Sequence, residues 1–346
     1  MRRDAGGAVL RVLLVLMLFA LLAAAGVIWR DYARFADAPL AVPPDGARLV
    51  IEPGSSFRQI VARIESRRLS AAPHGYWRIL AELQGVTSSL HAGEYALEPG
   101  ITPRRLLAKL AAGKVLQHKF TIVDGWTFGQ LRGALDADSR LKHATRDLDA
   151  AAIMRRLGAG GEDPEGRFLP ETYAFVRGAS DLDILERSHR ALQQALDKAW
   201  AGRADGLPLK TPYEALILAS IVEKETARAD ERARIAGVFV RRLELGMPLA
   251  TDPTIIYGLG SSYDGNITRR DLKTDTPYNT YLRAGLPPTP IALPGKAAIE
   301  AALHPAPGKA LYFVARGDGS GRHVFSDTLA EHNRAVACHQ LKRCRP

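Results

Sequence analysis

Cysteine is nearly absent: two occur in 346 residues, Cys338 and Cys344, both within the last nine positions. A disulfide framework is therefore excluded as the source of stability; in an oxidising compartment the pair would close a short terminal loop and hold no core together. Clustered histidine is missing too. None of the nine histidines forms a His-x-x-His or HExxH cluster, and His339 lacks further ligands at suitable spacing, so neither a metal nor a cofactor is expected. Zinc-finger spacing, an RNP-like aromatic motif and a basic helix followed by heptads are all lacking. The formal net charge of +10 and pI near 9.7 call for an acidic partner. Because the basic residues are spread along the chain and form no stripe, anionic lipid or an anionic polymer is expected and no nucleic acid.

With 47% hydrophobic residues, the chain is neither disordered nor fibrous, and its length suits two folded units beyond any targeting segment. Residues 12–29 are 18 consecutive uncharged, overwhelmingly apolar positions, just enough to cross a bilayer. Ala23-Ala24-Ala25 offers a signal-peptide cleavage site, but the apolar run continues to Trp29, an interfacial residue type, which favours an uncleaved anchor. Arg2, Arg3 and Arg11 then keep the N-terminus cytoplasmic and place the rest outside the inner membrane. The prolines of 38–46 (APLAVPPDG) read as a stiff extended linker.

A pattern then recurs: IEPGSSFRQI at 51–60, LEPGITPRRL at 97–106 and, more loosely, VDGWTFGQL at 123–131. Each is a strand end, a glycine turn, a Ser/Thr able to cap, and a helix with apolar residues at helical spacing, hence small α+β units. The same pattern is also common as a local motif with no ligand role. The stretch 136–161 reads as charged and helical. In EGRFLPETY (165–173), Glu171 sits among Pro170 and aromatics in a loop or short strand. Residues 181–203 form an amphipathic helix ending near Gly202, and 230–245 a helix stopped by Gly246. Tyrosine and asparagine, suited to sugar binding, crowd the loops TDPTIIYGLG (251–260) and TPYNTY (276–281). Strands near 311–315 and 323–325 form a hairpin, followed by a last helix near 329–341.

The chain is organised around TPYEALILASIVEKET (211–226). Thr211, Pro212 and Glu214 write a capping box, and between Ala215 and Val222 only Ser220 carries a polar side chain, so this helix is expected to be buried on most sides. Glu223 and Glu225 lie at its end. A carboxyl group at the rim of an apolar interior has a raised pKa, as a general acid requires. The alternative is that both are solvated and paired with Lys224 or Arg228. Two positions apart, the carboxylates point about 200° apart on a helix and cannot act as a same-face pair. Geometry alone does not choose between them.

ASIVEKET, TDPTIIYGLG, YNTY with GLPP, and the late HPA…LYFVA…G…H.F segment, in this order, resemble the YceG-like family of membrane-bound endolytic murein transglycosylases. The likeness runs from the anchor through the final hairpin. It implies an α+β chain made of a cytoplasmic tail (1–11), a single transmembrane helix (12–29), the linker (38–46), a small LysM-like glycan-facing domain (47–118), a mixed helical/β catalytic domain (119–337) and a tail (338–346). The LysM likeness itself covers roughly 48–116, in the first two strand-turn-helix starts. The resemblance selects Glu225, followed by the hydroxyl of Thr226, as the catalytic acid. It implies cleavage of the β-1,4 bond between N-acetylmuramic acid and N-acetylglucosamine in nascent strands, leaving 1,6-anhydro ends. Tyr257, Asn279, Tyr278, Asp252 and Glu171 are the expected substrate-cleft residues. The implied partners are peptidoglycan strands, the membrane and cell-wall synthases (penicillin-binding proteins). The competing readings are a non-catalytic membrane-tethered peptidoglycan-binding scaffold and a basic nucleic-acid-binding protein.

Overall fold

Helices begin where the sequence places a capping hydroxyl. Ser56, Thr102 and Thr127 adopt extended backbone, and each side chain accepts the backbone N–H three residues on. An orphan donor of the first helical turn is thereby satisfied, which fixes the start. In this computed structural model, which describes residues 5–343, the chain forms two units, 1–118 with 176–178 and 119–175 with 179–346. Cys344, and with it the terminal disulfide, lies outside the described residues, as do Arg2 and Arg3.

The smaller unit contains α1 (Ala5–Asp37), β1 (Ala47–Ile51), α2 (Phe57–Ser66), α3 (His74–Leu83), β2 (Gly93–Leu97) and α4 (Pro103–Ala111). β1 and β2 pair antiparallel, Ala47 opposite Leu97 and Ile51 opposite Gly93. Leu49 and Ile51 of β1 and Tyr95 and Leu97 of β2 point inward at every second position onto Val61, Ile64, Trp77 and Leu106. Gly93 is required: its φ is +141°, and a Cβ there would lie 2.3 Å from Val115 Cγ1. α1 is apolar and exposed over 12–29 and long enough to cross a membrane. It does not stop there. Tyr32 and Ala36 are buried in the core of this unit, and Phe35 stands edge-on to Trp77, ring centroids 5.1 Å apart.

The segment 38–46 is extended, as its prolines require, but is no free spacer. Leu40 is buried, its N–H donates to Ile101 O (2.8 Å), and Ala41 N–H donates to Leu69 O (2.9 Å). The apolar residues between the prolines find a core and the backbone finds acceptors, which offsets the entropy of ordering the segment.

The chain leaves this unit within β3 (Gln117–Thr121). There follow α5 (Phe128–Ala137), α6 (Ala150–Arg156), β4 (Thr172–Val176), α7 (Asp181–Ala201), α8 (Pro212–Glu225), α9 (Arg232–Glu244), α10 (Asp252–Leu259), α11 (Arg269–Lys273), α12 (Lys296–Leu303), β5 (Tyr312–Ala315), β6 (His323–Ser326) and α13 (Leu329–His339). β5 and β6 are the expected hairpin. α8 is the core of the larger unit: every residue from Ala215 to Val222 is buried, with α7, α9 and α12 packed around it. Ser220 is satisfied inside, donating to Ile217 O (2.7 Å) and accepting from Ile291 N (3.0 Å). Thr211 caps the helix, but the Glu214 carboxylate reaches back to Lys210 N and not to Thr211 N.

Two sequence expectations are corrected here. The stretch 136–161 is helical only at 136–137 and 150–156, because the buried Asp181 carboxylate takes up Ala144 N, Thr145 N and the Thr145 hydroxyl and holds an irregular loop between α5 and α6. The supposed loop 251–260 is largely α10: Pro253 fits its first turn, and Gly260 at φ +53° ends it.

Candidate active site

α8 ends at Glu225 because Thr226 turns extended, φ −150° and ψ 133°, and its hydroxyl accepts Arg228 N (3.0 Å). Successive residues at about 100° send the last three side chains to three places. Glu223 accepts Gly295 N (3.0 Å) and faces Arg232 (3.5 Å), tying α8 to the start of α12. Lys224 donates to Gly125 O (3.2 Å). Glu225 turns into a cavity of about 500 Å³ walled by Arg242 of α9, Thr251 and Asp252 at the start of α10, Tyr281, and His323 of β6. Solvated glutamates paired with Lys224 or Arg228 are thus not what forms: Arg228 pairs with Asp230 (3.0 Å), and both carboxylates have protein partners.

Burial pushes the Glu225 carboxyl above the ordinary range. The hydroxyl of Thr251, which donates to Oε1, opposes this, as do the neighbouring His323 and Arg242, while Asp252 adds to it. Thr251 precedes α10 yet makes no side-chain cap, since its hydroxyl is committed to Glu225. Asp252 accepts the Tyr281 hydroxyl at 2.5 Å. Arg242 is pinned by Leu311 O (2.7 Å) and Leu249 O (2.8 Å), with its guanidinium 5.0 Å from the Tyr312 ring centroid. The cavity therefore presents one buried acid with a raised pKa, a second carboxylate held by a tyrosine, and a fixed cation, all open to a polar ligand.

Of the residues expected in the cleft, Asp252 is brought to Glu225. Asn279 is not: it is fully buried, its amide donates to Thr274 O (2.7 Å), Leu272 O (3.2 Å) and Asp271 O (3.3 Å), and its carbonyl accepts Tyr281 N (3.1 Å). With its amide donating and its carbonyl accepting inside the loop, it staples the segment that carries Tyr281. Glu171 lies at the surface, paired with Lys296 at 2.6 Å, and takes no part in the cavity. Tyr257 and Tyr278 stack edge to face, centroids 5.0 Å apart, and belong to another cluster. There the Tyr257 hydroxyl donates to Glu165 (3.2 Å) and Tyr278 meets the Thr289 hydroxyl (2.8 Å). Glu165 is 5% exposed, accepts Phe128 N at 3.0 Å, and burial pushes its carboxyl up to about 7.

Sequence reasoning passed over Glu165, Arg242, Thr251, Tyr281 and His323. Tyr281, Thr251, Glu165 and His323 stood inside stretches already singled out, but with no sign of what they meet; Arg242 carried no local signal, since its surroundings come from distant segments. Among the described residues, Asp136, His143 and Asp181 bring one potential ligand atom each within 4.8 Å, but both Asp181 oxygens already serve the loop above.

A family model described as the YceG-like family matches residues 49–338. The endolytic murein transglycosylase of Bacillus subtilis (strain 168) is 31% identical over 265 residues, 72% of each chain. That of Streptococcus pneumoniae serotype 2 (strain D39 / NCTC 7466) is 28% identical over 361 aligned residues, 94% of this chain but 64% of the relative, so the chain spans less than two thirds of that protein. A crystal structure of a putative yceG-like protein from Listeria monocytogenes superposes with a TM-score of 0.53 at 30% identity, covering 84% of this chain and 99% of that one.

Proposed function

As the chain belongs to the YceG-like family, we propose that it is an endolytic murein transglycosylase, a lyase in which Glu225 is the acid and base. The observation that carries this is the Glu225 carboxyl, its pKa raised by burial at the end of α8, facing a polar cavity in which the other carboxylate, Asp252, is tied to the Tyr281 hydroxyl. Hydrolytic glycosidases use two carboxyl groups, one to activate water or attack carbon. Here the nucleophile lies within the substrate. Glu225 protonates the oxygen of the β-1,4 bond between N-acetylmuramic acid and N-acetylglucosamine, whose bond to the anomeric carbon breaks to release the N-acetylglucosamine 4-hydroxyl; the carboxylate takes the proton of the muramoyl 6-hydroxyl as that oxygen bonds to the same anomeric carbon. The product is a 1,6-anhydro end. An intramolecular nucleophile held in place needs no bound water, and a buried site disfavours one. Asp252, fixed by Tyr281, orients the glycan and raises the affinity of Glu225 for its proton.

The finer reading follows from the anchor. The apolar part of α1 spans the inner membrane with the N-terminus cytoplasmic, everything after it is periplasmic, and the LysM-like domain (47–118) holds nascent strands for the catalytic domain (119–337) beside cell-wall synthases. The net charge of +10 suits an acidic polymer and an anionic bilayer.

The test is mass spectrometry of uncrosslinked peptidoglycan strands after incubation with the wild type, Glu225→Gln and Glu171→Gln. Anhydro-ended fragments from the wild type and the Glu171 variant, absent with Glu225→Gln, are expected. Reducing ends would mean hydrolysis, and no cleavage by the wild type would leave a peptidoglycan-binding scaffold.

A further inference from the structure

The mechanism above leaves unused an imidazole on the wall of the Glu225 cavity. His323 opens β6 and lines this cavity, its side chain 11% exposed. Its orientation and its proton are both fixed by Glu231, whose side chain is 3% exposed. That carboxylate accepts the backbone N–H of His323 (3.1 and 3.2 Å) and stands 2.7 Å from Nδ1. A carboxylate only accepts, so the Nδ1 proton points to Glu231, and in the neutral ring Nε2 keeps its lone pair. Among the described residues Nε2 has no hydrogen-bond partner, and it is not among the polar atoms sealed from solvent without one. The ring is edge-on to Phe313 (5.4 Å, 90°), with Phe325 alongside (6.4 Å, 66°). For packing between two phenylalanines an apolar ring would serve, without burying the Glu231 carboxylate at a desolvation cost. The buried carboxylate makes sense if the ring must present one particular nitrogen.

We propose that His323 is a glycan-contacting residue: its Nε2 accepts a hydrogen bond from a hydroxyl of the sugar seated beside Glu225, and Glu231 is the positioning residue that sets the ring. The proposal deepens the glycan-cleavage reading and rests on it. A sugar hydroxyl is the ligand group that matches an oriented neutral acceptor, and a site built to take a hydroxyl hydrogen bond loses affinity when the acceptor is removed.

Binding of fluorescently labelled, uncrosslinked glycan strands is measured on the full chain in the Glu225→Gln background, where nothing is cleaved, and cleavage kinetics are measured with Glu225 intact. His323→Ala is expected to weaken binding and raise KM by about tenfold, with a smaller change in kcat. His323→Gln, which carries an amide near the place of Nε2, recovers part of the loss. Glu231→Gln weakens binding when His323 is present and has no further effect in the His323→Gln chain, where no imidazole remains to be held. Unchanged binding and KM in His323→Ala overturn the proposal, and so does a Glu231→Gln effect of the same size with and without the imidazole. Thermal melting is followed for each variant. If His323→Ala melts early, the Gln variant decides: recovered binding supports the contact and unrecovered binding overturns it. A wild type that binds strands but cleaves none removes the cleavage reading, while the binding measurements still decide on His323.

Discussion

Replacing Glu165 with glutamine removes a titration that folding itself creates. The carboxyl is 5% exposed, accepts Phe128 N and the Tyr257 hydroxyl, and is pushed by burial from 4.5 to about 7. Its folded pKa is raised above the unfolded one, so between these values the folded chain keeps a proton that the unfolded chain has released. Stability therefore falls as pH rises through this window, and the full penalty applies above about pH 7. At ~1.4 kcal/mol per pH unit, the difference between 4.5 and about 7 corresponds to about 3 kcal/mol. Glutamine keeps an acceptor for Phe128 N and does not titrate. Urea denaturation of the full chain in detergent, followed on the transition of the larger unit by Trp126 and Trp200 fluorescence, should show Glu165→Gln close to wild type near pH 4.5. By pH 8 it should be more stable by up to about 3 kcal/mol. A difference that stays constant across that range would refute the reasoning, because burial would then not be perturbing the carboxyl.

Thr251→Val removes the hydroxyl that lowers the pKa of Glu225, so the acid keeps its proton to higher pH. The alkaline limb of the pH–rate profile should move upward, and an unmoved limb would argue that Glu225 is not the titrating acid. Gly166 has φ +77°, and a Cβ there would lie 2.5 Å from Pro290 Cβ, whereas Gly161, at φ +90°, faces open space. Gly161→Ala should cost about 1 kcal/mol and Gly166→Ala at least about twice that in melting experiments; equal losses would contradict the Pro290 contact. A chain beginning at residue 38 lacks Tyr32, Phe35 and Ala36 from the core of the smaller unit and should unfold there with about 3 to 5 kcal/mol less stability than one beginning at residue 31. Identical midpoints would show that the end of α1 is no part of that core.

Short-range rules gave the elements. Hydroxyls at 56, 102, 127 and 211 start helices, Gly202 and Gly246 follow helix ends, and the apolar run 215–222 becomes the helix enclosed by the others. The failures have equally local causes. The segment 251–260 has the glycine and proline of a loop, but its proline falls in a first turn, where it favours a helix. The prolines of 38–46 dictate an extended backbone and say nothing about what that backbone lies against.

By itself, then, the sequence determined where helices begin and end, which of them is buried all round, and that two carboxylates stand at its end facing different ways, because caps, turns and periodicity depend on residues a few positions apart. Only the tertiary structure decided what each carboxylate meets. Glu223 is spent on Gly295 and Arg232, Asn279 on its own loop and Glu171 on a surface lysine, while Glu225 shares a cavity with Asp252, Tyr281, Arg242 and His323. Those neighbours come from segments far apart in the chain. Desolvation and hydrogen bonding, which set the chemistry of a carboxyl group, depend on what surrounds it in space and have no counterpart in local sequence.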